Sequence, residues 1–330
     1  MKNLTIIGAG SWGTALAIVL APRFERVRLW VYEGDLADRM RQTRENDIYL
    51  PGCRVPEKVQ IVTALAEAMA GAEVVLTVVP SHLVRLIYLQ IQPFTRRRMV
   101  FVSATKGLEN STLLRMSEVI CEVLGSHTRV ASISGPTFAR EVARAVPTAL
   151  VVASNDFAVA ECLQAAFSGP TFRLYTSADT IGVEIAGSIK NVVAIGAGVL
   201  HGLDLGHNVL AALITRGLAE IGRLAVAMGA KAQTMAGLAG LGDLVLTCTG
   251  DLSRNRMVGV ELARGRTLQE IVESMKMVAE GIKTTNAVIE LARRHSVEMP
   301  IAEQMYQMLY RGTSPREAIQ RLMERTLKGE

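Results

Sequence analysis

An apolar run, Leu4-Thr5-Ile6-Ile7, passes directly into Gly8-Ala9-Gly10-Ser11-Trp12-Gly13, and the helix-compatible Thr14-Ala15-Leu16-Ala17 follows at once. Few local structures accept that order: a strand, a tight turn, and a helix lying close against the strand. Gly8 serves the bend, Gly10 lets backbone approach a bound group, and Gly13 lets the helix pack closely. The helix N-terminus then presents its unpaired N–H groups to an anion such as a pyrophosphate. A glycine triplet alone is an ordinary loop; with a strand before it and a helix after it, it points to a dinucleotide site.

The rest of the first half repeats the theme. Short β-rich runs at 4–7, 27–31, 59–62, 74–79, 99–103, 130–134, 150–153 and 172–175 alternate with helical stretches, as a doubly wound sheet requires. Their nearly continuous apolar character suits strands covered on both faces. After Asp179 the alternation stops and everything reads as helix with glycine or proline punctuation. With 330 residues, 49% of them hydrophobic, there is material for two cores. The expected fold is α/β: an N-terminal doubly wound Rossmann-type sheet over residues 1–179, followed by an all-helical C-terminal domain over 180–330. Thr267-Leu268-Gln269-Glu270 and Ser314-Pro315-Arg316-Glu317 read as capping boxes that start two late helices.

The stretch 185–203 is apolar enough to raise the question of a membrane span, but Lys190, Asn191 and His201 interrupt it, and a lysine in mid-bilayer is costly. A buried helix is the expectation, with Gly187, Gly196 and Gly198 permitting close approach of neighbours at some cost in helix propensity. Met1-Lys2-Asn3-Leu4 leads straight into the first strand, which predicts a cytoplasmic protein without a leader. Cys53, Cys121, Cys162 and Cys248 form no CxxC pair, and the five histidines lack metal-ligand spacing, so reduced thiols and no metal are expected. The formal charge of +5 is dispersed. Arg96-Arg97-Arg98 sits in a turn, which favours small anionic ligands over nucleic acid.

Lys190 has no acid three or four residues away to neutralise it, those positions being Ala186, Gly187, Val193 and Ala194. Its partner must come from elsewhere in the fold. A lysine withdrawn from water has its pKa lowered towards the range in which it exchanges protons, as carbonyl reduction by hydride requires. Periodicity alone favours the plainer account of a stem along apolar surface with its ammonium in solvent. A second constellation changes the balance. Gly237-Leu238-Ala239-Gly240-Leu241-Gly242 ends in Asp243, an acid able to hold a lysine, and Ser253-Arg254-Asn255-Arg256 begins the apolar-periodic run 257–263. Ser253 is a good N-cap, so that helix end with Arg254 and Asn255 can cradle a phosphate. The bland alternatives are a turn aspartate and a capped surface helix. In the first half, Pro80-Ser81-His82, Thr105-Lys106-Gly107 and Ser134-Gly135-Pro136-Thr137 each follow a strand, at the edge where open α/β sheets bind ligands. The position of His82 suits the wall of a cofactor cleft.

Seven strings in order, GAGSWGTALA from Gly8, ATKGLE from Ala104, ISGPTFAREVA from Ile133, GSIKNVVAIGAG from Gly187, GLAGLGDLVLTC from Gly237, SRNRMVG from Ser253 and AEGIKTT from Ala279, resemble bacterial-type NAD(P)-dependent glycerol-3-phosphate dehydrogenase over essentially the whole chain. The resemblance implies reversible reduction of dihydroxyacetone phosphate to sn-glycerol 3-phosphate with NAD(P)H, for phospholipid synthesis. It implies Lys190 as the general acid and base and Asp243 as the group orienting it. Substrate binding falls by motif to Lys106, Gly135, Thr137, Lys190, Asp243, Ser253, Arg254 and Asn255. Cofactor binding falls to Gly8, Gly10, Ser11, Trp12, Gly13, Tyr32, Glu33, Lys106, Ala139, Arg254, Val278 and Glu280.

Glu33, about twenty residues beyond the glycines, can accept from a ribose 2′-hydroxyl and repels a 2′-phosphate. Relatives favouring NADP often carry a basic residue there, while Arg39 and Arg41 lie near enough in sequence to support NADPH. The expectation is mixed use of NAD and NADP with a tilt towards NAD. Two other readings stay open: a β-hydroxyacid or ketopantoate-type dehydrogenase, whose substrates carry a carboxylate in place of the phosphate, and a non-catalytic NADH-binding redox sensor. The sensor would want a docking or DNA-reading segment, and no helix-turn-helix pattern or basic tail is visible. The small apolar residues of the second domain suit a homodimer face.

Overall fold

The computed structural model describes residues 1–275 and 277–327 of the 330-residue chain. It divides into two compact units, Met1–Glu109 with Leu114–Glu184, and Asn110–Leu113 with Ile185–Glu330.

The first unit holds strands β1 (Asn3–Ile7), β2 (Arg26–Trp30), β3 (Val59–Val62), β4 (Val74–Thr77), β5 (Val100–Ser103), β6 (Arg129–Ser134), β7 (Thr148–Ala153) and β8 (Phe172–Ser177). They form one sheet in the order β3-β2-β1-β4-β5-β6-β7-β8. Helices α1 (Ser11–Leu20), α2 (Gly34–Thr43), α3 (Leu65–Met69), α4 (Val84–Ile91), α5 (Met116–Leu124), α6 (Ala139–Ala143) and α7 (Phe157–Phe167) connect them. Alternation along each strand divides the core: Leu4 and Ile6 join Leu16, Leu29 and Leu76 on one face, while Ile7 joins Trp30, Val75 and Tyr88 on the other. That is the doubly wound arrangement, and the reversal of strand order beside β1 places the glycine turn where such sheets bind ligands. Each predicted run is a strand. One pairing departs from a wholly parallel sheet, because β7 runs against β6. Apolar content shows that a strand is buried and carries no information about its direction.

The second unit is helical. Helix α8 (Thr180–Gly202) begins in the first unit and carries the chain into the second. There follow α9 (Gly206–Ala227), α10 (Ala232–Met235), α11 (Asp243–Thr249), α12 (Arg254–Ala263), α13 (Leu268–Ser274), α14 (Glu280–Arg294), α15 (Pro300–Arg311) and α16 (Pro315–Met323). Helix α8 is long and apolar enough to cross a membrane, and its apolar window is wholly buried within the protein. Asp179 Oδ1 accepts from Gly182 N (2.9 Å) in the first turn of α8, and Glu184 anchors the next, its buried carboxylate accepting from Arg115 Nη1 (2.7 Å), Ser117 N (2.9 Å) and Ser132 Oγ (2.8 Å). Further along, glycines let α8 meet α12 backbone to backbone: a Cβ on Gly198 would lie 1.8 Å from Arg256 O, and one on Gly259 would lie 1.9 Å from Ile195 O.

Thr267 and Glu270 close a full capping box on α13. The second expected box is one-sided: Ser314 accepts from Glu317 N, but the Glu317 carboxylate pairs with Arg321 at 2.7 Å. Arg321 lies one turn further on, and an opposite charge there outcompetes the Ser314 backbone N–H.

Glu220 on α9 is buried and caps α15, accepting from Ile301 N (2.8 Å) and Ala302 N (3.3 Å). Burial pushes its carboxyl from 4.5 up to about 7 against the pull of those two N–H groups. The folded protein therefore holds this proton more tightly than the unfolded chain does. The associated stability is fully present below the unfolded pKa and is lost as pH rises through about 7. Between pH 5 and pH 8 Glu220 is expected to withdraw about 3 kcal/mol of folding free energy. Glu220→Gln should flatten that part of the profile in urea titrations at the two pH values.

Candidate active site

In the first unit the glycine turn is built as its sequence demands. Gly8 has φ +111°, and a Cβ there would lie 2.6 Å from Val78 O. A Cβ on Gly13 would lie 1.9 Å from Gly8 O, whereas one on Gly10 would meet nothing within 4 Å. Gly13 thus closes the helix against the turn, and Gly10 leaves its outer side open. Gly10 is also the N-cap of α1 and supplies no side-chain acceptor, so the helix end that begins with Ser11 and Trp12 suits an anion. These features fit a dinucleotide pyrophosphate. The turn is braced by the fully buried Asn46, whose Nδ2 donates to Ala9 O (2.7 Å) and Thr14 Oγ1 (2.8 Å).

Beyond β2, Tyr32 is exposed, and Glu33 is the N-cap residue of α2. Glu33 Oε1 accepts from the Tyr49 hydroxyl at 2.8 Å. Burial and then this carboxylate push the Tyr49 hydroxyl up to about 12. Arg39 pairs with Asp35 (3.1 Å) and Asp47 (3.0 Å), and Arg41 with Asp38 (2.7 Å). Both arginines expected to support NADPH therefore hold acids.

At the carboxyl ends of β5 and β6, Lys106 Nζ donates to Gly135 O (2.9 Å) and lies 3.4 Å from Thr137 Oγ1. Three residues separated in sequence thus meet. Gly135, at φ +146°, turns where a Cβ would press 2.9 Å from Leu150 Cα. Ala139 opens α6, which packs along α1, and exposed His82 sits in the short turn Ser81–Leu83 after β4.

In the second unit Lys190 and Asp243 form a buried ion pair across 53 positions of sequence. Lys190 Nζ also donates to Thr247 Oγ1 at 2.7 Å, and that hydroxyl donates to Asp243 O at 2.6 Å. The glycine-rich bend makes this pairing: Leu238–Gly242 is a π-helical turn in which a Cβ on Gly240 would lie 2.2 Å from Met235 O, and it delivers Asp243 as the first residue of α11. Single π-turns recur at functional sites because they re-aim the residue that follows. Next to Lys190, Asn191 Oδ1 accepts from Asn255 Nδ2 (2.9 Å), and Asn255 Oδ1 accepts from Gly281 N (2.9 Å). One amide therefore ties α12 to both α8 and α14.

Ser253 caps α12, accepting from Arg256 N at 3.3 Å. Arg254 donates to Val278 O at 2.9 Å. Burial lowers the Arg254 pKa while Glu280 opposes the shift, which brings Arg254, Val278 and Glu280 into one neighbourhood. Among the described residues no cluster of His, Cys, Asp or Glu has the makings of a metal site.

Thr247 and Asn191 escaped the sequence reading as members of this cluster. Thr247 lies four residues after Asp243, on the same helix face, a spacing that would have found it once Asp243 was placed on a helix. Asn46 and Tyr49 carried no such signal, since they act from an irregular segment after α2.

A family model for the NAD-dependent glycerol-3-phosphate dehydrogenase N-terminus matches residues 3–160, and one for its C-terminus matches residues 179–320. The chain belongs to this family. It is 55% identical over 329 residues to glycerol-3-phosphate dehydrogenase [NAD(P)+] from Koribacter versatilis, covering 98% of each chain. With the enzyme of the same name from Geobacter sp. (strain M21) it shares 53% identity over 331 residues, covering 100% of this chain and 99% of that one. The crystal structure of glycerol-3-phosphate dehydrogenase from Coxiella burnetii superposes with a TM-score of 0.93 at 42% identity, over 98% of this chain and 99% of that one.

Proposed function

We propose that this protein is an NAD(P)-dependent oxidoreductase that reversibly reduces dihydroxyacetone phosphate to sn-glycerol 3-phosphate, serving glycerophospholipid synthesis in the cytoplasm. The observation that carries the chemistry is the buried Lys190–Asp243–Thr247 cluster.

The first unit is the cofactor-binding domain. Gly8, Gly10, Ser11, Trp12 and Gly13 receive the pyrophosphate, Glu33 with Tyr32 takes the adenosine ribose, and Lys106 and Ala139 complete the contacts. The bound cofactor supplies a hydride for the carbonyl carbon. Lys190 gives a proton to the carbonyl oxygen as the alkoxide develops, and takes it back in the oxidative direction. Asp243 and Thr247 hold the ammonium in place, so little geometry is left to organise at the moment of transfer. The second unit is the substrate-binding domain, in which Arg254 and the Ser253 end of α12 hold the phosphate while Asn255 keeps that end in register with Asn191. By motif, Gly135, Thr137 and Lys106 are further assigned to substrate, and Arg254, Val278 and Glu280 to cofactor.

Two measurements test this. Purified protein should oxidise NADH when given dihydroxyacetone phosphate and not when given ketopantoate; the reverse preference would replace a phosphate site by a carboxylate site. Arg254→Ala removes a charge-assisted contact, so KM for dihydroxyacetone phosphate should rise about ten- to a hundredfold. An unchanged KM would remove Arg254 from the cradle. The preference of Glu33 for a 2′-hydroxyl supports NADH as the better cofactor with NADPH also used, and the ratio of kcat/KM for the two reads it directly.

A further inference from the structure

We propose that the segment from Asn46 to Tyr49 is a positioning strut that sets the choice between NADH and NADPH, and that Asp35 and Asp47 reinforce it by holding Arg39 away from cofactor duty. This rests on the assignment of Glu33 to the adenosine ribose.

The strut is continuous in hydrogen bonds. Asn46 Nδ2 donates to Ala9 O within the glycine turn and to Thr14 Oγ1 on α1, while Asn46 Oδ1 accepts from Tyr49 N at 2.9 Å. Tyr49 packs against the core of the first unit and donates its hydroxyl to Glu33 Oε1. One short segment therefore grips the pyrophosphate turn at one end and the ribose acid at the other. A carboxylate has two oxygens, and a hydrogen bond to one of them fixes where the other points. With Tyr49 on Oε1, the other carboxylate oxygen of Glu33 is left to receive a ribose hydroxyl, and a 2′-phosphate brought to the same place meets an acid.

The arginines complete the discrimination. A guanidinium is the natural partner of a 2′-phosphate. Arg39, one turn into α2, is engaged by Asp35 through Nη1 (3.1 Å) and by Asp47 through Nε (3.0 Å). Asp47 belongs to the strut itself, directly after Asn46. NADPH must therefore break an ion pair to recruit Arg39, and NADH need not.

The test compares three variants with the unaltered enzyme by measuring Kd for NADH and NADPH from nucleotide fluorescence, with the melting temperature as a check on folding. Tyr49→Phe keeps the ring and removes the hydroxyl. It should weaken NADH about fivefold, the usual worth of one hydrogen bond, and leave NADPH unweakened. Asp47→Asn, at an exposed side chain, should loosen Arg39 by removing one of its two acids while Asp35 keeps the other, and so tighten NADPH about two- to threefold while NADH stays as it was. Glu33→Gln is the control for the underlying assignment and should shift the ratio towards NADPH by more than either. If Glu33→Gln shifts the ratio while Tyr49→Phe and Asp47→Asn move neither Kd, the strut is overturned and the ribose assignment stands. If Glu33→Gln leaves the ratio unchanged, the assignment falls and the strut falls with it.

Discussion

Replacing Lys190 by alanine should lower kcat about a hundred- to ten-thousandfold, the usual contribution of a positioned general acid, while NADH binds as before. The split follows from where the residue sits. Lys190 lies on α8 in the second unit, bonded to Asp243 and Thr247, and the glycine turn, Asn46 and Glu33 lie in the first. On the proposed mechanism, losing the ammonium removes the proton source for the developing alkoxide and leaves the glycine turn of the first unit intact. Stopped-flow single turnovers with NADH and dihydroxyacetone phosphate separate the chemical step from binding, and cofactor fluorescence gives the affinity. A Lys190→Ala enzyme that kept full turnover would strike this residue from the mechanism.

Asp243→Ala is expected to be the more damaging change to the fold. Asp243 is fully buried and Lys190 nearly so. Deleting Asp243 takes the bonded carboxylate away from a buried ammonium in a medium that solvates it poorly, at a cost of about 3–5 kcal/mol. In a unit of this size that corresponds to a loss of roughly 10 °C in melting temperature. Turnover should fall by an amount comparable to that of Lys190→Ala, and the double variant should be little worse than either single one, because the two side chains act as one unit. Additive losses in the double variant would show the two groups working separately. Asp243→Asn distinguishes charge from shape: it keeps an acceptor for the ammonium and removes the negative charge beside it, so it should recover part of the packing and little of the activity.

The parts of the molecule legible in the sequence were those governed by local rules. The run before Gly8 and the spacing of Gly8, Gly10 and Gly13 determine a strand, turn and helix because hard-sphere contact with Val78 O and Gly8 O excludes any side chain at Gly8 and Gly13. Alternating apolar runs determined the sheet strands, and the absence of an acid one turn from Lys190 meant that its partner had to come from elsewhere. The antiparallel entry of β7 was not legible, since burial patterns are blind to strand direction. Nor was the fate of Glu317, where Arg321 competes for the carboxylate with a backbone N–H.

What the tertiary structure alone decided is which distant groups meet. The π-turn at Leu238–Gly242 aims Asp243 at Lys190, Asn255 joins α8 to α14 through Asn191 and Gly281, and Tyr49 reaches back to Glu33 across an irregular loop. Sequence periodicity reports which face of an element is buried, on the scale of a turn or a pleat. The pairing of side chains 53 or 64 positions apart depends on how whole helices cross, which is set by the summed packing of many residues and not by the two that touch.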